Sequence, residues 1–506
     1  MAAASATSDY LRGNGTAGGW TGADRALLLG LVAFAALRTA SLFASPLGLG
    51  VDEAQYWLWS TGFDFGYHTK PPLTSWIIGL SNSLFGHHEW AVRLPAPWLH
   101  LATSMVLWRA ADWLAGPAAG RIAAIIWMTL PSIALGSFVI STDTPLLLCW
   151  SAGVLALVGV LTGRLRKHRG MLLAGGAFGA AMLAKYAAIY GLAGLALFVL
   201  VTQVLSRGMD RQKVIGWRGL GLFALGMVVV ASPNILWNLA NELKTVRHLG
   251  DNANLDLRSY SLAGSFSFLT AQFATAGPVV FALMFGILRT RRGDDAGLLL
   301  VCLSAPVILI IMVQAFLSEA NANWGLAAMP AMVLWLAGWI SQARPFIGRL
   351  AIGINLGLCV MVLGVTTAGS LGPFTPDSDP FRRLRGWQTL AADTSAALKA
   401  HGAATVIADR RATASLLSWH FHSQRIGGSP VTVLVIDADG HPSNHFEHNL
   451  AWQPVTGRRL VALDGRKAPP EMIGVDWQAG TPPLSSTAIS RNRSRDLYIH
   501  MGVEGE

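Results

Sequence analysis

The feature that most constrains this chain is a series of apolar runs, each about as long as a bilayer is thick. A membrane-spanning helix needs about 20 mostly apolar residues. The runs that qualify lie at 24–44, 89–108, 121–140, 144–162, 186–205, 219–237, 264–288, 296–316, 324–341 and 350–369. A shorter run at 171–183, broken from its successor by Lys185 and Tyr186, is counted as a further span. Only 13% of the residues are charged, about half the share usual in a soluble domain. The runs predict an all-α polytopic membrane protein with about 11 transmembrane helices.

The placement of charge predicts the orientation of these helices. The net charge is +10, but the basic residues stand in short clusters between apolar runs, such as Arg164 to Arg169. The alternate loops are poor in base and contain Asp52, Glu53, Asp143 and Glu319. Because inner loops collect Lys and Arg, this pattern predicts a cytoplasmic N-terminus. It favours membrane lipids as the partner and argues against nucleic acid.

The chain divides into three predicted regions. Residues 1–22 are small, polar and Gly-rich, which predicts a disordered cytoplasmic tail before an uncleaved first span. Residues 23–370 contain the apolar runs, and an odd number of spans places residues 371–506 outside. In that tail, two apolar stretches, Ala404–Asp409 and Val431–Asp437, flank a helical pattern from Arg411 to Phe421. This alternation predicts a small C-terminal α/β domain, which the odd span count places on the outer side; the family resemblance given below implies that this side is periplasmic.

The first outer loop, residues 45–88, combines acids, a cation and membrane anchors. Asp52 and Glu53 precede Tyr56, Trp57 and Trp59, and such aromatic residues favour the lipid headgroup level. After Pro71-Pro72, the apolar face of a predicted interfacial helix consists of Leu73, Trp76, Ile77, Leu80 and Leu84. Lys70 stands just before this helix, where a cation meets lipid phosphates.

These groups suit the transfer of a sugar from a lipid-linked phosphate. Lys70 neutralises charge on the departing phosphate, and a carboxylate such as Asp52 acts as the general base for an acceptor hydroxyl. Two simpler readings stay open, in which Asp52 only caps the following helix and Lys70 only extends towards the membrane surface. Asp143, in Ser141-Thr142-Asp143-Thr144-Pro145, is either a helix N-cap or a second carboxylate on the side of Asp52.

Several motifs carry a family resemblance. The loop motifs are Asp52-Glu53-Ala54, Gly66-Tyr67-His68-Thr69-Lys70-Pro71-Pro72 and Val92-Arg93-Leu94-Pro95, and the later ones are Leu183-Ala184-Lys185-Tyr186, Ser232-Pro233-Asn234-Ile235-Leu236-Trp237-Asn238 and Glu319-Ala320-Asn321-Ala322-Asn323-Trp324. The stretch Ala408-Asp409-Arg410-Arg411 fits as well. Together they resemble bacterial members of the dolichyl-phosphate-mannose–protein mannosyltransferase superfamily, which have the GT-C fold. Within it they are similar to the aminoarabinose transferases of lipid A and the rhizobial lipopolysaccharide galacturonosyltransferases.

The resemblance implies transfer of a sugar from a polyprenyl-phosphate donor to a lipid A, lipopolysaccharide-core or similar glycan acceptor at the bacterial inner membrane. It implies that Asp52 is catalytic, with Asp143 as its partner. It also implies substrate-binding roles, which fall to Glu53, Tyr67, Lys70, Lys185, Glu319 and Asn323. Lys70 holds the donor phosphate and Lys185 is a second cation. Glu53 is structural or positions the acceptor, and Glu319 and Asn323 either contact sugar or cap helices.

Three questions stay open at this level. The sugar and the acceptor are not identified. No cofactor is predicted, and a divalent metal requirement is left open, although His441, His445 and His448 read as a solvated loop rather than a zinc site. A transporter or flippase of lipid-linked sugar is the alternative function. It is disfavoured because the acids gather in outer loops rather than at mid-membrane depth, and because no internal repeat is evident.

Overall fold

The structure is a computed structural model that describes residues 20–205, 215–243, 245, 260–289, 294–343, 345–371, 379–437, 444–490 and 493–505. The predicted tail before residue 20 and His441 lie outside these residues. The α-helices are α1 (Gly22–Ala44), α2 (Val51–Ser60), α3 (Leu73–Phe85), α4 (Glu89–Arg93), α5 (Pro95–Ala115), α6 (Pro117–Thr129), α7 (Pro131–Gly136), α8 (Asp143–Leu161), α9 (Lys167–Ala184), α10 (Ile189–Leu200), α11 (Trp217–Ala240), α12 (Leu262–Ala276), α13 (Pro278–Met284), α14 (Asp295–Leu317), α15 (Met329–Ala343), α16 (Pro345–Ala368), α17 (Trp387–His401), α18 (Arg411–Phe421) and α19 (His445–Asn449).

The apolar helices confirm a multi-pass membrane protein. Seven helices in the described part of the chain are long and apolar enough to cross a membrane, or up to eight if a bent pair counts as one span. The seven are Gly22–Ala44, Asp143–Leu161, Tyr186–Gln203, Trp217–Ala240, Asp295–Leu317, Ala322–Gln342 and Phe346–Ala368. Helical segments lie at the other predicted runs as well, and the count of eleven spans stays a prediction.

Breaks interrupt several of the predicted runs, among them 264–288 and 121–140. The run 264–288 forms α12 and α13, which are bent by 115°. Gly277 at the break has φ +87°, a conformation that favours glycine, and Pro278 starts the next helix. The run 121–140 breaks at Leu130, which is extended because it precedes Pro131.

The chain falls into two compact units, which are described separately. The first comprises 1–43, 70–74 and 93–364, and the second comprises 44–69, 75–92 and 365–506. The first outer loop therefore belongs largely to the unit that contains the C-terminal region. The predicted domain boundary at 370 lies close to the break at 364.

Close backbone contacts hold the first unit together. A Cβ added at Gly175 or Gly179 of α9 would lie only 2.0 or 2.5 Å from a carbonyl oxygen of α11. In the opposite direction, a Cβ added at Gly226 of α11 would lie 2.6 Å from a carbonyl oxygen of α9. Small residues four apart allow such packing in lipid, where van der Waals contact rather than the hydrophobic effect drives helix association. Buried aromatic rings extend this core, with Trp150 and Phe178 4.8 Å apart.

The C-terminal region of the second unit confirms the predicted α/β pattern. Its strands are β1 (Thr405–Ala408), β2 (Arg425–Ile426), β3 (Ser429–Pro430), β4 (Thr432–Val435), β5 (Arg459–Asp464), β6 (Val475–Trp477), β7 (Leu484–Ser490) and β8 (Arg493–Glu504). The main sheet has the order β4-β1-β5-β8-β6, with β7 also pairing with β8. Strands β4, β1 and β5 are parallel, and α18 connects β1 to the short β2–β3 hairpin and β4. The antiparallel part around β8 was not predicted.

Aromatic and histidine rings join the first outer loop to this C-terminal region. Trp57 of α2 meets Trp419 of α18 with ring centroids 4.9 Å apart. Its indole N–H donates to Nδ1 of His87 at 2.8 Å, and the His87 ring lies 5.3 Å from that of His422. We call this contact between α2 and α18 the loop seam. It holds α2, which has Asp52 in its first turn, against α18, which starts with Arg411.

Candidate active site

Asp143 lies at the centre of a polar cluster in the first unit. Its Oδ1 accepts a hydrogen bond from Nζ of Lys185 at 2.7 Å, and its Oδ2 accepts one from Nδ2 of Asn323 at 2.7 Å. The side chains of Asp143 and Lys185 are 7% and 18% exposed. The structure thus brings together three residues that the sequence predicted only separately. We call Asp143, Lys185 and Asn323 the Asp143 cluster.

Breaks between helices place these side chains. Asp143 is the first residue of α8, and the cap position belongs to Thr142, which makes no side-chain cap. The N-cap reading of Asp143 is therefore wrong, because its carboxylate faces Lys185 instead. Lys185 is extended (φ −159°, ψ 133°) directly after α9 ends. That break lets its long side chain leave the helix and reach Asp143.

A second set of polar groups stands beside Lys185 in the chain. The Tyr186 hydroxyl donates to Oδ1 of Asn234 at 2.7 Å and accepts from Nδ2 of Asn238 at 3.0 Å. Both asparagines are buried on α11. The Leu183-to-Tyr186 and Ser232-to-Asn238 motifs therefore meet in the structure. Both motifs carry the family resemblance, but the sequence pattern predicts no role for Tyr186.

In the second unit, Asp52 forms an ion pair with Arg411. Asp52 lies in the first turn of α2, where the helix dipole favours a carboxylate. Its Oδ1 accepts from Nη2 of Arg411, the first residue of α18. The side chain of Asp52 is 65% exposed and that of Arg411 is 37% exposed. The catalytic role of Asp52 stays a prediction.

Glu53 and Tyr67 support the shape of the loop. Oε2 of buried Glu53 accepts from the backbone N–H of Gly50 at 2.8 Å, just before α2. The helix cap is thus served by Glu53 rather than by Asp52, which agrees with the structural reading of Glu53. The Tyr67 hydroxyl lies 2.9 Å from the carbonyl oxygens of both Trp59 and Gly62. Burial raises the pKa of Tyr67 to about 12. Its substrate-binding role stays a prediction.

The remaining predicted residues lie in varied surroundings. Lys70 is half-buried just before α3, and Glu319 is exposed in the turn after α14. Arg38 is fully buried, and its guanidinium donates to the carbonyl oxygen of Met128 at 2.6 Å and to Oγ of Ser137 at 3.0 Å. Backbone and hydroxyl acceptors within the first unit take up these donors.

The histidines of the second unit lie near the loop seam but form no metal centre in the described structure. The rings of His68 and His448 are 5.7 Å apart. Burial, with the charges of His68 and His448, lowers the pKa of His445 to about 4. Among the described residues, no group of three or more His, Cys, Asp or Glu is arranged to hold a metal ion. His441 is outside those residues.

Comparison with known proteins decides the family. The model of the family described as dolichyl-phosphate-mannose-protein mannosyltransferase matches residues 69–237, which include Lys70, Asp143 and Lys185. The lipid A galacturonosyltransferase RgtD of Rhizobium johnstonii is 31% identical over 449 residues, which cover 87% of this chain and 91% of that protein. The chain belongs to this family. It is a membrane glycosyltransferase, as the motifs predicted.

Solved structures of related fold agree with this assignment. ArnT from Cupriavidus metallidurans, bound to undecaprenyl phosphate, superposes with a TM-score of 0.62 over 86% of this chain and 92% of that one, at 15% identity. Its apo form gives 0.59 over 95% and 98%. The arabinofuranosyltransferase AftD from mycobacteria matches with a TM-score of 0.51 over 94% of this chain and 40% of that one. The predicted GT-C fold is confirmed.

Proposed function

We propose that this glycosyltransferase moves a galacturonosyl group from a polyprenyl phosphate to a hydroxyl of lipid A. The observation that carries the proposal is the 31% identity to a lipid A galacturonosyltransferase along 91% of its length. The undecaprenyl phosphate bound to ArnT, a protein of the same fold, supports a polyprenyl-phosphate donor. The exposed carboxylate of Asp52 supports a hydroxyl acceptor, since a phosphate acceptor is already ionised and needs no base.

In the proposed reaction, the acceptor oxygen attacks C1 of the sugar. A new C1–O bond forms, the bond between C1 and the phosphate oxygen breaks, and its electron pair leaves with the polyprenyl phosphate. The proton of the hydroxyl passes to the carboxylate of Asp52. General base catalysis of this kind contributes about 10²–10⁴-fold to a rate.

The negative charge on the phosphate rises as it departs, so cations aimed at it favour the transition state. We assign this role to Lys70 and Lys185. Only one Lys185 N–H is needed for Asp143, and an ammonium group has three, so donors remain for a phosphate oxygen. Asp143 then positions Lys185 rather than acting as a base, because its carboxylate is held between the Lys185 ammonium and the Asn323 amide. Asn323 and Glu319 are proposed sugar contacts, while Glu53 and Tyr67 position the loop that carries Asp52.

The proposed setting is the bacterial inner membrane, with eleven spans, a cytoplasmic N-terminus and the region after residue 370 in the periplasm. The alternation of basic and acidic loops supports this orientation. The exposed surface of α3 is consistent with it. Leu80 and Leu84 are exposed there, whereas Ser75, Ser81 and Asn82 are buried. A helix with its apolar side outward suits the membrane interface.

One experiment separates glycosyl transfer from flipping of the lipid-linked sugar. The purified protein is reconstituted in vesicles with radiolabelled polyprenyl-phosphate galacturonate and lipid A. Transfer yields labelled lipid A whose mass has increased by one galacturonosyl residue. Movement of intact donor between leaflets with no labelled lipid A contradicts the proposal and favours the flippase.

A further inference from the structure

The ion pair of Asp52 and Arg411 joins the proposed base to a cation that the established activity does not explain. The residues lie 359 positions apart in the chain, so only the docking of α18 onto α2 brings them together. The contact uses a single guanidinium nitrogen, Nη2, and a single carboxylate oxygen, Oδ1. Arginine has five N–H donors in a planar fork. More than a third of this side chain is exposed, and the contact to Asp52 uses only one of the guanidinium nitrogens.

The position of Arg411 in its helix is unfavourable for a purely structural residue. Arg411 starts α18, where the unpaired backbone N–H groups already carry partial positive charge. The neighbouring Arg410 adds a second cation and pairs with Asp409 at 3.1 Å. Asp409 also accepts from the hydroxyl of Thr413 at 2.5 Å, within the same helix start. The local acid is thus engaged by Arg410 and Thr413, and Arg411 is directed to Asp52.

We infer that Arg411 is a specificity residue that binds the carboxylate of a uronic acid donor. This inference rests on the proposed function. The planar guanidinium matches a carboxylate in a two-point contact. In a galacturonosyl donor, the carboxylate and the reacting C1 belong to one pyranose ring. A single arginine beside the base therefore recognises the ring that is being transferred.

Arg411 also disfavours other sugars that are carried on a polyprenyl phosphate. A neutral hexose presents a hydroxymethyl group in place of the carboxylate and leaves the guanidinium without an anionic partner. An amino sugar presents a cation, which Arg411 repels. Without donor, Arg411 pairs with Asp52. A bound uronate competes for the guanidinium and frees Asp52 to accept the proton of the acceptor, so recognition of the donor is coupled to release of the base.

The test measures donor selectivity rather than activity alone. Polyprenyl-phosphate galacturonate has a carboxylate where polyprenyl-phosphate galactose has a hydroxymethyl group, and the two donors are otherwise identical. The wild-type full-length protein in vesicles is expected to prefer the uronate by about 100-fold in kcat/KM, which corresponds to a hydrogen-bonded charge pair. In Arg411→Gln this ratio is expected to fall towards one. Arg411→Lys is expected to retain part of the preference for the uronate. The control variant Arg410→Gln, at the neighbouring position, is expected to retain the wild-type ratio.

The outcomes distinguish this inference from the proposed function. If Arg411→Gln lowers kcat/KM for both donors by the same factor, Arg411 only holds Asp52 in place, and the inference is overturned while the function stands. A wild-type protein that uses both donors equally well also overturns it. If the wild-type protein transfers neither sugar to lipid A, the proposed function fails, and the inference fails with it.

Discussion

At the scale of single residues, the buried pair of Asp143 and Lys185 decides how the Asp143 cluster works. Removing one partner of a buried ion pair leaves an uncompensated charge, which costs about 3–5 kcal/mol. Lys185 is also the proposed contact of the donor phosphate, and Asp143 positions it. Asp143→Asn and Lys185→Gln are each expected to lower kcat/KM for the donor at least 100-fold. The double variant is expected to lose little more than either single one, because both changes remove the same unit. Steady-state kinetics at varied donor concentration measure this cycle, and simply additive losses would show that the two residues act independently.

The residue scale also shows why part of the candidate site was predictable. Asp52, Glu53 and Lys70 lie within one short loop, so their shared chemistry is visible in the sequence. The Asp143 contacts join residues 42 and 180 positions apart, and only tertiary packing creates them. Arg411 was visible as part of a motif, but nothing in the sequence placed it against Asp52. A cation at the start of a predicted helix was the one local signal for it.

At the scale of elements, helix α3 has its polar side buried and its apolar side outward. Phe63 and Trp76 stack with centroids 5.1 Å apart and extend this apolar surface. Leu80→Glu is expected to lower the transfer rate in vesicles about tenfold, because burying a leucine side chain in apolar surroundings is worth about 1.5–3 kcal/mol. Ser83→Glu, which changes an exposed serine of the same helix, is expected to leave the rate within about twofold of wild type. Equal losses in both variants would show that the apolar side has no part in membrane contact.

Helix positions were predictable because a bilayer accepts only long apolar helices. The ends and breaks of the helices were harder to predict, although Gly277-Pro278 and Pro131 were local signals for two of the breaks. The parallel strands β1 and β4 were readable as buried apolar runs around a helix. The antiparallel strands β6 to β8 contain more polar residues than β1 and β4, and they depend on pairing across the sheet.

At the scale of the whole molecule, the contact between the first outer loop and the C-terminal region is expected to weaken in acid. The pKa of His445 falls from 6.5 to about 4 in the folded protein because burial disfavours its charged form. A group with a lowered folded pKa of this kind is neutral in the fold, so its contribution to stability is full above pH 6.5 and is lost as the pH falls towards 4. The melting temperature is expected to drop by roughly 5 °C more in wild type than in His445→Phe between pH 7 and pH 4.5. Scanning calorimetry checks this, and identical pH dependence in both proteins would exclude His445 as the cause.

The central claim is that Asp52 is the base of a glycosyl transfer to a hydroxyl, and a single-turnover assay tests it most directly. Excess reconstituted protein is mixed with labelled polyprenyl-phosphate galacturonate and lipid A, and the rate of labelled lipid A formation is followed for wild type, Asp52→Asn and Asp64→Asn. Asp64 lies in the same loop and accepts a hydrogen bond from its neighbour Phe65, which makes it the matched control. We predict that Asp52→Asn binds donor at least as tightly as wild type, because Arg411 loses the partner that competes with the donor, but that it reacts about 10²–10⁴-fold more slowly. Asp64→Asn is expected to keep the wild-type rate. A wild-type rate in Asp52→Asn would contradict the account.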